Sequence, residues 1–366
     1  MVRSFYPIVA VLLSGRLGPV DCFKLPRDVA DTFEKLHSPA GRRELSWRLR
    51  KPVPDINWDD FQRQIDAIDR HGVGVVTFLD RGFPQYLRDI PKSPPILFYK
   101  GDIGVLDRRG VAVVGSRRPS ARGAAFTRML TGELGARGIL VTSGAAKGID
   151  TAAHLGALSA GAATAGVVGT GLDIAYPAEN AGLLETISRD GCVLSEQLMG
   201  TPPLRHVFPL RNRLISGISH VVVVVEAGER SGALITATWA LEQGRDVGAV
   251  PGFPGDARSR GTNALLKMGA FAVEGVDDIL EAVPTLTAAA RPRADARADD
   301  GIAGPAAAAL GAQAQAVFEA LGSSPVDCDT VARHAGLPAA AVQRTLLELE
   351  LKGMIARDAS GFYYRI

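Results

Sequence analysis

Short segments in which glycine and serine precede basic residues carry most of the chemical information in this sequence. Each follows a run of aliphatic residues of the kind that forms a buried strand. The residues concerned are Gly115, Ser116, Arg117 and Arg118 after VAVV, and Ser143, Gly144 and Lys147 after ILVT. Backbone N–H groups and side-chain cations arranged in this way bind anions, above all phosphate oxygens. The pattern therefore predicts an anion-binding site at the ends of two strands.

Arginines without nearby acidic residues support the same interpretation. Six arginines and no acid lie between Asp107 and Glu133, and three arginines and no acid lie between Glu196 and Glu226. They are Arg108, Arg109, Arg117, Arg118, Arg122 and Arg128 in the first stretch, and Arg205, Arg211 and Arg213 in the second. Both stretches contain connections from a strand to a helix, so parts of both can meet at one rim of a sheet. A basic rim suits a polyanionic backbone. The alternative is that most of these arginines are solvated or paired with distant carboxylates.

Two aromatic residues, Phe208 in HVFPLRNR and Tyr176 in AYPAEN, are within reach of these segments. Either ring can stack on an unpaired base, a contact that contributes about 1–3 kcal/mol per base. Each is equally a candidate for the hydrophobic core. The sequence leaves both interpretations open.

Fingerprints of nucleotide cofactors and metal sites are missing. The chain has no GxxxxGK[ST] motif, and the GxG at Gly169 and Gly171 lacks its third glycine because Ile174 stands there. Six histidines and three cysteines show no metal-ligand spacing, so we expect no cofactor and no structural zinc. Asp150 and His154 fit an acid–base pair or, as we favour, a helix N-cap and a packed histidine. We therefore predict no catalytic residues.

Alternating strand and helix patterns between about residues 83 and 283 indicate the fold that positions these segments. Seven short apolar runs, from Val111–Val114 to Phe271–Val273, show little polar alternation, as expected for strands covered on both faces. Amphipathic stretches such as Gly123–Arg137 and Ala233–Gly244 separate them. This repetition predicts an α/β fold with a doubly wound, Rossmann-like parallel sheet.

The flanking regions have different patterns. The first 82 residues are helical in pattern, with Pro26–Leu36 and Trp58–His71 as helices, and they include a basic run from Arg42 to Lys51. An Ala-rich segment with Pro, Gly and balanced charge has no apolar periodicity and predicts a linker. Three helices and two short strands around Asp358–Gly361 predict a winged-helix domain at the end. The predicted parts are 1–82, 83–285, 286–310 (linker) and 311–366.

Composition narrows the class of protein further. The 366 residues include 46% hydrophobic ones, enough for a sizeable core, and 41 Lys+Arg against 39 Asp+Glu give a net charge of only +2. This balance excludes a histone-like polycation but allows a local basic patch. Three widely spaced cysteines argue against a disulfide framework and fit a reducing compartment. The apolar stretch from Ile8 to Leu13 is too short to span a membrane, so we expect a cytoplasmic protein without membrane partners.

Seven segments of the chain closely resemble the bacterial DNA-processing protein A family (DprA/Smf), in the order in which that family has them. They are FPQYLRDIPKSPPILFYKG (83–101), VAVVGSRRPS (111–120), TSGAAKGIDTAAHLGAL (142–158), GTGLDIAYPAEN (169–180), FPLRNRLISGIS (208–219), VVEAGERSGALITATWALEQGRDVGAVPG (224–252) and GTNALLKMGA (261–270). The flanks resemble the family's N-terminal sterile-alpha-motif-like domain and its winged helix. The resemblance covers essentially all of residues 83–275.

This resemblance implies a non-enzymatic, single-stranded DNA-binding protein that protects incoming DNA in natural transformation and loads a RecA-type recombinase. It also implies a homodimer through the central domain, for which the helix with Leu265, Leu266, Met268 and Phe271 is our candidate surface. An equal alternative is that this helix packs on its own sheet. The binding residues that the resemblance implies are Gly115, Ser116 and Arg117 as a phosphate cradle, Arg211, Asn212 and Arg213 as a second wall, and Lys147 and Arg118 as additions.

Two other functions are weaker candidates. The sheet also resembles nucleotide-processing lysine-decarboxylase-like (phosphoribohydrolase) proteins, but EAGERSGALITATWALEQ lacks their double glycine and has its first helix acid only at Glu242. A duplex-reading winged helix would need several contacting side chains, whereas PAAAVQRTLLELELK offers only Gln343 and Arg344 early in the helix. We therefore expect the last domain to dock a partner or position the other domains.

Overall fold

The computed structural model describes residues 3–287, 312–321, 326–351, 355–357 and 363–365. The chain divides into two compact units, Met1–Ala289 and Ala290–Ile366. Most of the predicted linker lies outside the described residues. Among the described residues, no helix combines the length and apolarity needed to cross a membrane.

A nine-stranded sheet forms the centre of the first unit, in the order β1-β2-β6-β5-β4-β3-β7-β8-β9. The strands are β1 Gly74–Thr77, β2 Ile96–Gly101, β3 Gly110–Val114, β4 Leu140–Ser143, β5 Thr164–Val167, β6 Cys192–Ser195, β7 Val221–Val224, β8 Asp246–Ala249 and β9 Phe271–Ala272. All neighbours from β6 to β9 are parallel, whereas β1 with β2 and β2 with β6 are antiparallel. The predicted α/β fold with a parallel sheet is confirmed for β3 to β9, and the whole sheet, which includes the two antiparallel strands, is mostly parallel.

Helices cover both faces of this sheet. They are α6 Gln85–Arg88, α7 Ala121–Ala136, α8 Ile149–Ser159, α9 Ala181–Asp190, α10 Val207–Gly217, α11 Gly232–Glu242, α12 Arg260–Lys267 and α13 Val276–Ala282. Ala112 and Val114 of β3 pack in one core with α10, α11 and α12. Val111 and Val113 pack in another with α7, α8 and α13. Because successive side chains of a strand point to opposite faces, an all-apolar strand serves two cores.

Five helices precede the sheet: α1 Tyr6–Leu13, α2 Pro19–Cys22, α3 Val29–His37, α4 Pro39–Leu49 and α5 Trp58–Arg70. Their shared core includes Ile96 and Phe98 of β2 and Met199. Of these elements, α3 and α5 were predicted from the sequence, whereas α1, α2, α4 and the two antiparallel strands were not. Since β1 lies before residue 82, the sheet begins inside the part that was predicted to be wholly helical.

The second unit contains α14 Ala312–Ala320, α15 Cys328–Ala335 and α16 Ala339–Leu351, followed by antiparallel β10 Ile355–Arg357 and β11 Tyr363–Arg365. Val331, Val342, Leu346 and Leu349 are buried together at its centre. The predicted order of three helices and a hairpin is confirmed. The expected turn around residues 358–361 lies outside the described residues.

Candidate nucleic-acid interface

A cleft of about 950 Å³ opens at the carboxyl ends of the parallel strands of the first unit. Its walls come from the loops after β3, β4 and β7, from one side of α10 and from the start of α11. Six of the predicted site residues line it, namely Gly115, Ser116, Arg117, Phe208, Arg211 and Asn212. The position agrees with the rule that ligands of doubly wound sheets bind beyond the carboxyl ends of the strands.

Close backbone packing shapes the loop that carries Arg117. A Cβ atom on Gly115 would lie 2.7 Å from Cγ1 of Ile149 and 3.0 Å from the Glu226 carbonyl oxygen, so only glycine fits. The Ser116 carbonyl accepts a hydrogen bond from the Ile149 N–H at 3.1 Å. Gly148 has a φ of +83°, and a Cβ there would collide with the same carbonyl. These contacts fix the loop while the Arg117 side chain stays exposed, with no ion pair in the described part of the chain.

Glu226 anchors the other end of this loop. Its carboxylate accepts hydrogen bonds from the backbone N–H of Ser120 at 2.9 Å and from the Ser120 hydroxyl at 2.6 Å. Ser120 in turn caps α7 by accepting from the Gly123 N–H. The amino terminus of α7 therefore already holds a negative charge. The start of α11, where Ser231 caps the helix, borders the cleft and directs its positive dipole end there.

One side of α10 forms the wall opposite Arg117. Phe208, Arg211, Asn212 and Ile215 line the cleft and are spaced i, i+3, i+4 and i+7, the repeat of a single helix face. This helix was not among those predicted from the sequence. Pro209 is tolerated here since it lies in the first turn, where its missing N–H would have no helical partner.

Arg213 does not belong to this wall, contrary to the prediction. Its helical position turns it away from Arg211, and its side chain is 5% exposed. The guanidinium bonds both carboxylate oxygens of Glu196 at 2.7 Å and donates to the Lys92 carbonyl at 2.8 Å. A guanidinium held in this way is committed to structure and is not available to a ligand.

Arg117 and Arg211 meet at Phe208. Each guanidinium carbon lies 5.9 Å from the centroid of the Phe208 ring, so the two are no farther apart than twice that distance. The exposed ring of Tyr176 lies 5.6 Å from the same ring, at an interplanar angle of 37°. The cleft thus places two cations and two aromatic rings together, which provides groups for both phosphates and bases.

Arg211 is also part of the buried structure. It donates to the carbonyls of Gly144 and Val167, and its buried Nε has no hydrogen-bond partner among the described residues. Burial lowers the pKa of Arg211 to about 10, although the nearby Asp150 opposes the change. The guanidinium therefore remains charged at neutral pH. Arg211 therefore contributes a positive charge to the wall of the cleft, although it is mostly buried and lies near the Asp150 carboxylate.

The other predicted residues lie around the cleft and not in its lining. Ser143 is buried and donates to the Val113 carbonyl at 2.7 Å. Gly144 supports Arg211, because a Cβ there would lie 2.8 Å from the guanidinium. Lys147 forms an exposed ion pair with Glu179, and Arg118 is exposed outside the lining residues. Both cations are at the surface but do not face into the cleft.

Asp150 and His154 have separate roles. Gly148 is the N-cap of α8, so the expectation that Asp150 is the cap is wrong. The Asp150 carboxylate lies in the first turn and accepts from the Ala146 N–H at 3.3 Å. His154 is fully buried beside the Thr164 hydroxyl at 2.8 Å, and burial lowers its pKa to about 3. His154 is thus a packed neutral histidine, as expected.

Two further arginines, Arg205 and Arg230, line the cleft and are exposed. Arg205 belongs to the acid-free stretch before α10 and was detectable there. Arg230 was not predicted, because it lies beyond the acid-free stretch that ends at Glu226. In the structure the Glu229 carboxylate lies 3.6 Å from Arg260, so the neighbouring acid is directed to another cation.

The charge of Asp150 makes the affinity of the cleft for an anion depend on pH. Burial raises the pKa of Asp150 to about 6, with Arg211 opposing the increase. The folded form holds this proton more tightly than the unfolded chain, so the stability that Asp150 contributes falls as pH rises from about 4 to about 6. On acidification through about 6, the cleft loses a negative charge beside Arg211 and Arg117.

On acidification from about pH 7.5 to about pH 5, we expect the affinity of the wild type for an oligonucleotide to rise. This rise should be about five times as large as the corresponding change in Asp150→Asn, which has no carboxylate to protonate. Titrations at constant ionic strength measure this difference. The substitution also controls for histidines and for the oligonucleotide itself, which titrate identically in both proteins. Equal pH dependence in the two proteins would mean that Asp150 does not sense the ligand.

The fold and the site together define a Rossmann-like α/β protein with a cationic, aromatic-lined cleft at the carboxyl ends of its parallel strands. A family model described as DNA recombination-mediator protein A matches residues 74–284, and a DprA winged helix domain model matches residues 302–361. The chain belongs to the DNA recombination-mediator protein A family, as the sequence analysis predicted.

Curated relatives and solved structures agree with this assignment. The chain is 45% identical to the DNA processing protein DprA of Streptococcus pneumoniae over 56% of its own length and 72% of the relative's. It is 38% identical to the protein Smf of Escherichia coli over 76% and 74% of the two chains. The crystal structure of the S. pneumoniae protein superimposes with a TM-score of 0.65 at 36% identity, covering 77% of this chain and 98% of that one. A Helicobacter pylori structure, determined for its single-stranded DNA binding mode, has a TM-score of 0.51 at 29% identity and covers 58% and 96%.

Proposed function

We propose that this protein binds single-stranded DNA in the cleft between the Gly115–Ser120 loop and α10, and does so without cleaving or modifying it. The observation that carries the proposal is the grouping of Arg117 and Arg211 around the Phe208 ring. The H. pylori relative, determined for its single-stranded DNA binding mode, supports the same ligand. Asp150 is the only carboxylate among the lining residues, and it is buried.

The exposed aromatic groups favour an unpaired strand over a duplex. Stacking on Tyr176 or on the partly buried Phe208 requires the face of a base, which base pairing and base stacking hide in double-stranded DNA. A sequence-tolerant protein also needs few hydrogen bonds to base edges, and the lining supplies mainly cations, rings and glycines. The cleft is therefore better suited to phosphates and base faces than to a groove.

A salt titration tests this function. The affinity for an unpaired oligonucleotide should exceed that for the duplex of the same sequence, and its logarithm should fall with log salt at about −0.7 per phosphate contacted. Fluorescence anisotropy with labelled oligo(dT) and the matching duplex gives both quantities. Equal affinity for the two forms, or affinity independent of salt, would contradict the proposal.

Replacing the central ring separates stacking from charge. We expect Phe208→Ala to weaken binding of oligo(dT) about five- to thirtyfold, because one base loses its stacking surface. The salt slope should stay unchanged, since no phosphate contact is removed. Phe208→Tyr is the matched control and should bind nearly as well as the wild type. A weaker affinity accompanied by a smaller slope would instead mean that the ring only positions the arginines.

We further propose that the bound strand is protected and passed to a RecA-type recombinase during DNA uptake by transformation. The family's description as recombination mediators supports this role. A strand-exchange assay tests the proposal. This protein should stimulate strand exchange by the recombinase, and Arg117→Glu should not. Equal stimulation by the two proteins would mean that recombinase loading does not depend on DNA binding in the cleft.

A homodimer through α12 is part of the same proposal. Leu265 is buried, and Leu266 and Phe271 pack against the protein's own cores, so these three serve the fold. Met268, just after α12, is 75% exposed, and the neighbouring β9 is the edge strand of the sheet. Light scattering should therefore find dimers for the wild type and monomers for Met268→Glu. Dimers in both proteins would place the interface elsewhere.

The nucleotide-hydrolase alternative has little support from the geometry. Glu242, the nearest candidate acid on α11, is the last residue of that 11-residue helix and is exposed. At 1.5 Å per residue it stands about 15 Å along the axis from the end that borders the cleft. A panel of nucleoside monophosphates should accordingly yield no free base.

A further inference from the structure

The basic run that the sequence analysis noted in the N-terminal part lies on α4 and just beyond it. The buried side of α4 carries Leu45 and Leu49, whereas Trp47, two residues from each, lies on the opposite side. Trp47 is 85% exposed, more than any other large hydrophobic residue in the described part of the chain. An indole ring usually packs at least partly against its own protein, so the exposure of Trp47 makes it a candidate contact for a ligand.

Exposed cations that form no ion pair in the described part of the chain lie close to Trp47 in sequence or on the neighbouring segment. Arg43 is one helical turn before Trp47 on the same face, and Arg50 follows at the end of the helix; both are exposed. Arg48 donates from Nε to the Lys24 carbonyl at 3.0 Å, which brings the Lys24 segment beside α4. Arg43, Arg50 and Lys24 form no ion pair within the described residues. We call Arg43, Trp47, Arg50 and Lys24 the α4 surface.

The acids near α4 are already paired with cations outside the α4 surface. Glu44, the one acid of α4, shares Lys35 with Asp31, at distances of 2.7 and 2.8 Å. Asp21 is buried and lies 2.9 Å from Lys51. Asp55 pairs with Arg42. The α4 surface therefore presents uncompensated positive charge around one exposed ring.

We propose that the α4 surface is a second contact site for single-stranded DNA, which holds nucleotides beyond those in the cleft. This inference rests on the proposed function. It follows from charge complementarity, because the surface joins cations for phosphates to a ring for a base face, the combination that non-specific single-strand sites use. An acidic peptide would satisfy the cations but leave the indole unstacked. The same compact unit carries the cleft, so one long strand can contact both.

Binding of a short and a long oligo(dT), of about 10 and about 40 nucleotides, to the full chain tests the inference. We expect Arg43→Glu/Arg50→Glu to weaken the long strand about tenfold and to reduce its salt slope by about 1.4, with the short strand changed less than about twofold. Trp47→Ala should weaken the long strand about five- to thirtyfold, and Trp47→Phe much less. The matched control is Arg70→Glu/Arg81→Glu, which makes the same change in net charge at exposed arginines elsewhere in the unit.

Fluorescence supplies an independent measurement. The long strand should quench the emission of Trp47, and Trp47→Phe should remove that quenching, whereas Trp58→Phe should not, because Trp58 is stacked on His37. All substituted residues except Trp58 are exposed, so thermal melting should stay close to that of the wild type.

Several results would overturn the inference. One is a loss in the control variant equal to that in Arg43→Glu/Arg50→Glu, and another is unchanged binding of the long strand. If poly-glutamate displaced the long strand from the α4 surface as effectively as oligo(dT) carrying the same number of negative charges, the surface would be assigned to an acidic protein instead. If Arg117→Glu weakens both strand lengths while the α4 variants weaken neither, only this inference fails. If the wild type binds neither strand, the proposed function fails with it.

Discussion

Arg117→Glu should weaken binding of single-stranded DNA about 100-fold and leave thermal stability unchanged. The wild-type side chain is exposed and has no ion pair in the described part of the chain, so within the protein its replacement removes only the contact with the Phe208 ring. Loss of a charge-assisted bond to phosphate costs about 1.5–3 kcal/mol, and the new carboxylate adds repulsion. Anisotropy titrations with oligo(dT), accompanied by a thermal melt, measure both effects.

A matched control distinguishes this site from general electrostatics. Arg128 belongs to the same acid-free stretch, is exposed on α7 and does not line the cleft. Arg128→Glu changes the net charge equally, and we expect it to alter affinity less than about threefold. Equal losses in the two variants would show that the chain attracts DNA by its overall field and not through this cleft.

Arg211→Met should destabilise the first unit by about 3 kcal/mol, a drop in melting temperature on the order of 10 °C. The substitution leaves the buried Asp150 without its cation and removes the donors to the Gly144 and Val167 carbonyls. Protonation of Asp150, whose pKa burial already raises to about 6, limits the cost. The charge reversal Arg211→Glu would bury two carboxylates together and is unsuited to a binding test.

A double-mutant cycle isolates the pair. If Asp150 and Arg211 stabilise each other, Asp150→Asn should cost much less in the Arg211→Met protein than in the wild type, with a coupling of about 1–3 kcal/mol. Urea unfolding of the four proteins gives this quantity. Strict additivity would mean that Arg211 stabilises the fold only through the two carbonyls.

The strands that carry the site were predictable, because an uninterrupted β-branched run such as that of β3 or β7 has few alternatives to a strand buried on both faces. The close packing of Gly115 against Ile149 was not predictable, because it depends on how the β3 loop lies on α8 in the folded chain. Similarly, β1 and β2 lie among turn-rich and proline-rich residues, and their pairing is set by tertiary contacts with β6.

The role of Arg213 was not predictable without recognising α10. Read as a loop, RNR places all three side chains together; as a helix, it directs Arg211 and Asn212 to the cleft and Arg213 to Glu196. The burial of each arginine side chain was also not predictable from the sequence. The sequence alone does not distinguish the exposed Arg117 from the buried Arg211, although this difference decides which one can be altered safely.

Photo-crosslinking locates the bound strand most directly. Oligo(dT) carrying 5-iodouracil, irradiated with the full chain and analysed by mass spectrometry, should crosslink to the peptides that contain Phe208 or Tyr176, and Arg117→Glu should abolish those crosslinks. Crosslinks confined to α14–α16, or crosslinks at Phe208 that persist unchanged in Arg117→Glu, would contradict the account of the cleft.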